Sequence, residues 1–470
     1  MSSLYGVFNT GQSALQAQQQ GINVVGHNIA NVNTPGYSRQ RLVLDPNEPI
    51  PSKPGMLGTG VDVAEVQRIY DRFVGAQLQI ETTTLGQWEA YKNSMARLEG
   101  VFNESRGYGL SQAMGEFWNA WNDLSNNPGG QAERVALITK SETLSTTFQD
   151  FRDDMVNLQK DADFSIKMTV AEINTLSNQI AGLNSQIRSA EAVGQNANDY
   201  RDQRDLLINQ LAILIDTNSY ELDDGQITVT LNSGKPLVEG NTALALSNTP
   251  DGSGFNDLIW NDYSGNTFVV TSQITGGKVK GWLNVRDVAI PNYLGQLDTL
   301  ATGIITEVNA LHSTGYGLVS PATGLPYTGV DFFSGTSADD ITVSATVQGD
   351  FKAVSASSTQ AGIPGDNGNA ILIANLQNQL TLGGAPATST FDQYFSAMIS
   401  ELGSDVRAAD NYYNHQQGMV TLLENNRESA SGVSLDEEMV DLIKYQHAYE
   451  SAARLISIVD EMLDSLMSML

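Results

Sequence analysis

The sequence predicts a mainly α-helical protein with an inserted antiparallel β domain. Apolar residues recur at a helical 3–4 spacing near both chain ends and in the layers next to them. The middle of the chain instead holds short alternating β-branched runs between glycine-containing turns. We expect long antiparallel helices, formed from both chain halves, to build an elongated multidomain rod. Coiled-coil-like terminal helices would lie at one end and the β domain at the far end.

The first element is an N-terminal helix with one apolar stripe. Its members follow a mostly 3–4 spacing: Leu4, Phe8, Leu15, Ile22, Val25 and Ile29. Three asparagines then favour a helix stop, and Pro35-Gly36 suits the centre of a type II turn because glycine supplies the positive φ. The stretch "YSRQRLVL" is predicted to leave this turn as an extended segment. We read His27 as a packed or interfacial histidine.

The next layer is also helical, from about residue 64 to 215, with a break at "NNPGG". A distant segment from Phe391 to Tyr413 has the same periodicity and is its predicted partner. A shorter helix is predicted over "IPNYLGQLDTLATGIITEVNALH", with Pro291 in its first turn. Between these helices, residues 220 to 282 read as antiparallel strands and hairpins, and a second β segment is predicted at "DDITVSATV".

The last element is a C-terminal helix. Ser434 is a suitable N-cap, Glu437 completes a capping box, and the acidic first turn matches the positive end of the helix dipole. Its apolar stripe contains Ala452, Ile456, Val459, Leu463, Leu466 and Leu470. Isolated helices are marginal in water, so we predict that the two terminal stripes form an inter-subunit seam in a polymer.

These elements predict three discontinuous domains. The terminal helical core combines residues 1–62 with 430–470 and would form an inner tube. The helical rod combines residues 63–216 with 283–315 and 365–429. The β-rich outer domain combines residues 217–282 with 316–364.

Composition limits the partners. The formal net charge is −28, which argues against nucleic acid or an anionic membrane as a partner because phosphate binding requires clustered Lys and Arg. The chain has no cysteine, which excludes disulfides, thiolate zinc sites and cysteine nucleophiles. The first residues lack the basic and apolar regions of a cleavable signal peptide, and no run approaches the ~18 apolar residues of a membrane span.

No motif for catalysis, a cofactor or a metal rises above background. The four histidines do not pair at helical spacing, and neither a phosphate-binding loop nor a nucleophile elbow is present. The Trp118/Trp121 pair could form a stacking platform, but a packed helix contact is the commoner use of such a pair. We therefore expect no catalytic residues, no cofactor, no metal and no enzyme activity.

Two terminal stretches resemble the signatures of bacterial flagellar rod, hook and hook-associated proteins. They are "ALQAQQQGINVVGHNIANVNTPGY" and "SLDEEMVDLIKYQHAYESAARLISIVDEML". Further stretches, "GYSRQ", "FWNAWNDLSNNPGGQAERVALITKSETLSTTF" and "NDYRDQRDLLINQLA", are similar to the hook-associated members in particular. The positions that match the signatures are Asn28, Asn31, Pro35, Gly36, Tyr37, Arg39, Gln40, Asp436, Glu437, Tyr445 and Tyr449.

The resemblance implies a structural subunit that joins hook to filament. Its implied partners are further copies of itself, the hook protein, the adjacent hook-associated protein next to the filament, and a cytoplasmic export chaperone at the C-terminal region. It implies an extracellular location in the flagellum after export without a cleaved signal peptide. Arg39 and Arg41 would meet acids on neighbouring subunits. The alternative is another axial subunit of the hook, rod or filament type; an enzyme carried on such a scaffold is the third hypothesis.

Overall fold

The computed structural model describes residues 2–53, 55–102, 109–384 and 386–468, with the side chains of residues 2, 3 and 52 left aside. Helix accounts for 63% of the described residues, about twice the usual share in globular proteins. The β-strands form small antiparallel sheets. The predicted fold class, mainly α with an inserted β part, is therefore confirmed.

The helices are α1 (Ser2–Ala30), α2 (Arg72–Val101), α3 (Leu110–Asn126), α4 (Gln131–Glu191), α5 (Asn198–Leu214), α6 (Gly277–Asn284), α7 (Ile290–His312), α8 (Ala345–Gly349), α9 (Gly368–Asn375), α10 (Phe391–Ser431) and α11 (Leu435–Ser468). A π-helical turn at Val285–Ala289 joins α6 to α7. Pro291 lies in the first turn of α7, as predicted.

The strands are β1 (Gln40–Pro46), β2 (Ile50–Ser52), β3 (Gly55–Leu57), β4 (Val61–Arg68), β5 (Thr217–Glu221), β6 (Ile227–Leu231), β7 (Pro236–Glu239), β8 (Thr242–Ala243), β9 (Leu246–Pro250), β10 (Asn256–Asn261), β11 (Thr267–Val269), β12 (Tyr316–Val319), β13 (Pro326–Thr328), β14 (Phe333–Ser334) and β15 (Thr342–Val343).

The chain divides into two compact units, each described by itself. The first contains residues 1–87, 168–279 and 414–470, and the second contains residues 88–167 and 280–413. Strands β5–β11 fall in the first unit and β12–β15 in the second. The three-domain division drawn from the sequence groups these strands together and stays a prediction.

In the first unit, two asparagines of α4 tie the β-sheets to the helix. Asn184 donates to the carbonyl oxygens of Ile227 and Gly240, at 2.7 Å each, and fixes the sheet ordered β5-β6-β7-β8. Asn174 exchanges two 2.8 Å bonds with the backbone of Leu246 and fixes the β9-β10-β11 sheet. Such side-chain bonds satisfy strand groups that would otherwise lack partners.

The second unit holds a large hydrophobic core between α3, α4, α7, α9 and α10. Trp118 and Trp121 are fully buried in it, and the Trp118 ring stacks on Phe391 with centroids 5.7 Å apart. The packing interpretation of this tryptophan pair is therefore confirmed. Phe391, Phe395, Met398 and Leu402, predicted to line one helix face, are buried there as well.

Two local predictions are wrong. The helical layer was predicted from about residue 64, but β4 extends to Arg68 and α2 begins only at Arg72. The sequence placed "GGKVKGW" in the β region, but the last strand ends at Val269 and Gly277–Asn284 is helical. Val279 and Leu283 lie four residues apart and are both buried, so a helix places them on one face toward the core. The glycine pair that suggested a hairpin instead lies at the start of the helix, whose first residue, Gly277, has φ +76°.

Candidate functional site

The candidate site is the pair of terminal helices with the turn that follows α1. Helices α1 and α11 pack side by side in the first unit. Their contact line passes through glycines: a Cβ added to Gly11 would lie 2.9 Å from Ile456, and one added to Gly21 would lie 2.6 Å from the Tyr445 ring. Close approach of two helix backbones requires such small residues.

The predicted seam residues differ in how deeply they are buried. Val25, Ala452 and Val459 are buried within the chain. Half-buried members are Leu4, Phe8, Leu15, Ile22, Ile29, Ile456 and Leu463. Leu466 is 44% exposed, and Leu470 lies outside the described residues. The buried line of α1 instead contains Gly11, Ala17, Gly21, Val24, Val25 and Asn28. The predicted stripe flanks this line because large side chains cannot occupy the point of closest approach.

A second face of α11 stays uncovered by its own chain. Leu455, Ile458, Met462 and Leu466, which we call the outer stripe, are 37% to 54% exposed. Their spacing of three or four residues places them along one side of the helix. Apolar rows of this kind mark interaction surfaces when they are contiguous.

The turn after α1 has the predicted geometry. The Tyr37 amide donates to the Thr34 carbonyl at 3.2 Å, and Gly36 has φ +80°, as a type II turn requires. Asn31 donates from its side chain to the His27 carbonyl at the helix end. Pro35 is exposed, and the chain then enters β1 at Gln40.

Asn28 lies at the centre of the contact between α1, the turn, β1 and α11, which we call the joint. Its side-chain nitrogen donates to the Gln40 carbonyl at 2.8 Å and to Glu438 at 3.0 Å. Its oxygen accepts from the Tyr37 hydroxyl at 2.8 Å and from the Gln40 amide at 3.0 Å. The buried amide therefore uses its full hydrogen-bonding capacity and links α1, the turn, β1 and α11.

Arg39 pairs with acids of its own C-terminal helix. Its Nε lies 2.6 Å from Glu438 and an Nη lies 2.7 Å from Glu437, while Asp441 is 3.6 Å away. Burial alone would lower the pKa of Arg39, but the charges of Glu438 and Glu437 raise it above its usual value. Arg39 thus pairs with acids of its own chain, and its predicted contact with acids of a neighbouring subunit stays a prediction. Arg41 contacts Gln67.

Further polar contacts hold the same joint from the side of α5. Asp202 accepts from the Ser38 amide at 2.9 Å and pairs with Arg68 at 2.8 Å. Gln40 donates to Asp199 at 2.7 Å, and the His27 ring lies 3.2 Å from the same carboxylate. Burial, with smaller contributions from Asp199, Asp202 and Glu438, raises the pKa of Tyr37.

The structure thus brings together Asn28, Tyr37, Arg39, Gln40 and Glu437 from the predicted signature. Tyr445 is half-buried against Gly21, whereas Asp436 and Tyr449 lie exposed elsewhere on α11. The buried acceptor Glu438, only 1% exposed, was read from the sequence as a helix-dipole residue. An acid beside an apolar periodic run carries no sequence signal of burial, because its partner is 410 residues away.

No chemistry emerges from the described residues. Within them, no cluster of three or more His, Cys, Asp or Glu side chains could hold a metal ion. No described helix has the length and apolar character required to cross a bilayer.

Comparison with known proteins decides the family. The model of the Flagellar hook-associated protein FlgK helical domain matches residues 95–333, about half of the chain. The chain belongs to the flagellar hook-associated protein FlgK family. The ends match models described as Flagella basal body rod protein, over residues 8–37, and Flagellar basal body rod FlgEFG protein C-terminal, over residues 424–469.

FlgK-family relatives match along their whole length. Flagellar hook-associated protein 1 of Bacillus subtilis (strain 168) is 29% identical, with 100% of this chain and 99% of that protein covered. Its counterpart of Escherichia coli (strain K12) is 27% identical with full coverage of both. The flagellar hook junction protein FlgK from Burkholderia pseudomallei shares the fold, with a TM-score of 0.64 and 16% identity; 76% of this chain and 100% of that one are covered.

Membership of the FlgK family gives the chain its role. It is a structural subunit of the bacterial flagellum at the hook–filament junction, as the resemblance implied. It therefore belongs to the flagellum and assembles with other flagellar components.

Proposed function

We propose that this subunit assembles by lateral packing of its terminal helices, with the α1–α11 pair as the unit that packs. The observation that supports this is the outer stripe of α11, which remains exposed beside the face of the helix that α1 covers. Burying a Leu or Ile side chain contributes roughly 1.5–3 kcal/mol. Four such residues per copy are a substantial driving force for a ring or helical assembly.

The joint gives this packing unit a defined orientation. Asn28 and Arg39 fix the start of α11 against the end of α1 through Glu438. The outer stripe of each copy would thus be presented at a constant angle. The predicted seam residues buried inside the chain would act indirectly, by holding the pair together, while the outer stripe would contact the neighbouring copy.

The specific partners that we propose are those that the family resemblance implies. They are the hook protein below, the adjacent hook-associated protein next to the filament, and a cytoplasmic chaperone that holds the C-terminal region before export. We propose an extracellular position, reached without cleavage of a signal peptide. The role is purely structural, with no catalysis, cofactor, nucleic acid or membrane partner.

Complementation of a deletion strain tests the assembly surface. Ile458→Asp and Leu466→Asp each place a charge on the outer stripe, where assembly would bury it without a partner. We expect completed hooks without filaments and flagellin lost to the medium. Ser457→Asp, which adds the same charge on an exposed position of α11 outside the stripe, should support normal filaments.

The complementation result distinguishes a wrong assembly surface from a wrong class of flagellar subunit. Folded Ile458→Asp protein that still supports filaments would refute the outer stripe as the assembly surface. A deletion strain without hooks would indicate a rod-type or hook-type axial subunit instead.

A further inference from the structure

A cavity in the second unit is lined by no residue of the terminal helices and has no assigned role. It has a volume of about 410 Å³ and is formed by α2, the π-helical turn, α7 and α10. Trp88, Tyr91, Asn284, Asn292, Tyr293 and Asp405 are among the side chains that line it. Its size falls within the range of small-molecule sites in proteins.

One wall of the cavity is aromatic. Trp88 stacks on Tyr412, with ring centroids 4.5 Å apart and planes within 16° of parallel. Tyr91 meets the Trp88 ring edge-on at 5.8 Å. Tyr412 is 56% exposed, so the Trp88–Tyr412 stack lies at the surface, while Tyr91 packs against the hydrophobic core. Such rings present negative faces that attract cations.

The opposite wall contains the π-helical turn at Val285–Ala289. The Ile290 amide bonds back to the Val285 carbonyl, five residues earlier. This insertion turns Arg286 inward, where it pairs with Asp163 at 2.6 Å, and leaves Val288 63% exposed at the cavity. Single π-turns interrupt otherwise regular helices mainly at functional sites.

The polar lining favours a positively charged guest. Asp405 accepts a 2.7 Å bond from the Tyr293 hydroxyl, and within the described part of the chain it has no basic partner. Burial, together with the Asp405 charge, raises the pKa of Tyr91. In the same described residues, the Asn284 and Asn292 amides make no side-chain hydrogen bonds, so their oxygens can accept from a guest.

The same two helices, α2 and α10, already hold a cation of the chain itself near the cavity. Lys92, the residue after Tyr91, places its ammonium 2.6 Å from Asp410 and 4.4 Å from the centre of the Tyr413 ring. Carboxylate and aromatic face therefore bind a cation between α2 and α10 at that level. At the level of Asp405, the same two helices supply a carboxylate and aromatic rings with no cation of the described chain between them.

We propose that the cavity binds an organic cation, an alkylammonium or guanidinium group, with Asp405 as its counter-charge and Trp88 and Tyr91 as its aromatic wall. The Asn284 and Asn292 oxygens would accept its remaining N–H groups. Exposed Val288 at the cavity would contact the alkyl stem. This inference goes beyond the role in the flagellum and does not depend on it.

Fluorine NMR of the full chain carrying 5-fluorotryptophan tests the site. The chain has five tryptophans, and a Trp88→Phe variant assigns the Trp88 resonance. We expect tetramethylammonium to shift that resonance saturably, with a millimolar Kd, and methyl glucoside to leave it unchanged. Equal shifts with the neutral sugar, or none with the cation, would overturn the proposal.

Three variants separate the contribution of charge from that of packing. Asp405→Asn keeps an acceptor for Tyr293 and should weaken binding about tenfold, whereas Asp410→Asn removes a carboxylate from the same helix outside the cavity and should leave the Kd unchanged. Tyr91→Leu should weaken binding about fivefold. Unchanged affinity in folded Asp405→Asn protein would contradict the assignment.

The source of the cation is read from two further probes. Spermidine stands for a free polyamine, and N-acetyl-lysine methylamide stands for a lysine side chain of another polypeptide. Tighter binding of spermidine would assign a soluble ligand to the site. Tighter binding of the lysine derivative would assign a protein partner.

Discussion

The Asn28 side chain on α1 donates a 3.0 Å hydrogen bond to the buried carboxylate of Glu438 on α11, across 410 residues of sequence. Glu438 also forms an ion pair with Arg39, whose Nε lies 2.6 Å from the carboxylate. A buried carboxylate is tolerated when donors surround it, and here both donors come from the N-terminal segment. The joint should therefore respond strongly to changes in any one of the three residues.

Asn28→Asp should destabilise the first unit by about 2–4 kcal/mol. The change removes both N–H donors and places a second carboxylate beside Glu438 in a buried site. Urea unfolding followed by circular dichroism measures the loss. Asn23→Asp makes the same chemical change on an exposed position of α1 and should change stability by less than about 0.5 kcal/mol. Similar losses in both variants would contradict the role of Asn28.

Alanine substitutions at two glycines of α1 should change the stability of the protein in opposite directions. A Cβ at Gly21 would lie 2.6 Å from the Tyr445 ring, so Gly21→Ala should separate the helices and cost about 1–3 kcal/mol. No atom lies within 4 Å of a Cβ at Gly26, so Gly26→Ala should stabilise the helix by about 0.5–1 kcal/mol. Limited proteolysis should release the terminal segments faster from the first variant and no faster from the second.

Arg39 and Glu438 should show strong coupling in a double-mutant cycle. Arg39→Gln leaves the Glu438 carboxylate buried without its cation and should cost about 2 kcal/mol, a value reduced for the partial exposure of Arg39. Adding Glu438→Gln should recover part of that loss, because the buried charge is then absent. Additive losses in urea unfolding would argue against the pair. Arg41→Gln, on an exposed neighbour, serves as the control.

His312 should make the second unit sensitive to acid. The ring is fully buried between the Val330 carbonyl at 2.6 Å and the Ser355 amide at 2.9 Å, so it is neutral, with Nε2 accepting. Burial lowers the pKa of His312 to about 4, and the nearby Arg134 charge adds to this. The unfolded chain, with a pKa of about 6.5, therefore binds the proton first as pH falls.

The direction in which stability changes with pH follows from that order of protonation. Stability is complete above about pH 6.5 and is lost as pH falls toward 4, by up to about 3 kcal/mol. Fluorescence of Trp121, whose ring lies 6.2 Å from His312, reports the unfolding midpoint at each pH. His312→Asn should flatten this pH dependence, whereas His447→Gln, on an exposed ring, should retain it. Equal slopes in the wild type and His312→Asn would contradict the assignment.

The sequence was informative where local chemistry decides structure. The turn at Pro35-Gly36, the N-terminus of α7 at Pro291 and the packing of Trp118 all follow from residue type and spacing, and the structure has them. Contacts between distant segments could not be located in this way. The inter-subunit seam, drawn through large apolar side chains, stays a prediction, whereas the intrachain α1–α11 contact passes through Gly11 and Gly21, because close approach selects small residues.

The buried ion pair could not be predicted for a related reason. Glu438 and Glu437 are adjacent acids with the same local pattern, and only the arrival of α1 places one of them in the interior. The aromatic cavity escaped because its walls come from residues 88, 293 and 405, and no sequence window contains them all. Such sites are defined by tertiary packing rather than by motif.

The contact between Asn28 and Glu438 also determines when the first unit can finish folding during synthesis. Ribosomes deliver the N-terminus first, and long-range contacts form late because a large loop has to close before they can contribute. The donor on α1 must wait while some four hundred further residues are polymerised. Until then the first unit lacks both its closing helix and the acceptor for Asn28, so a nascent subunit remains incompletely folded at both ends.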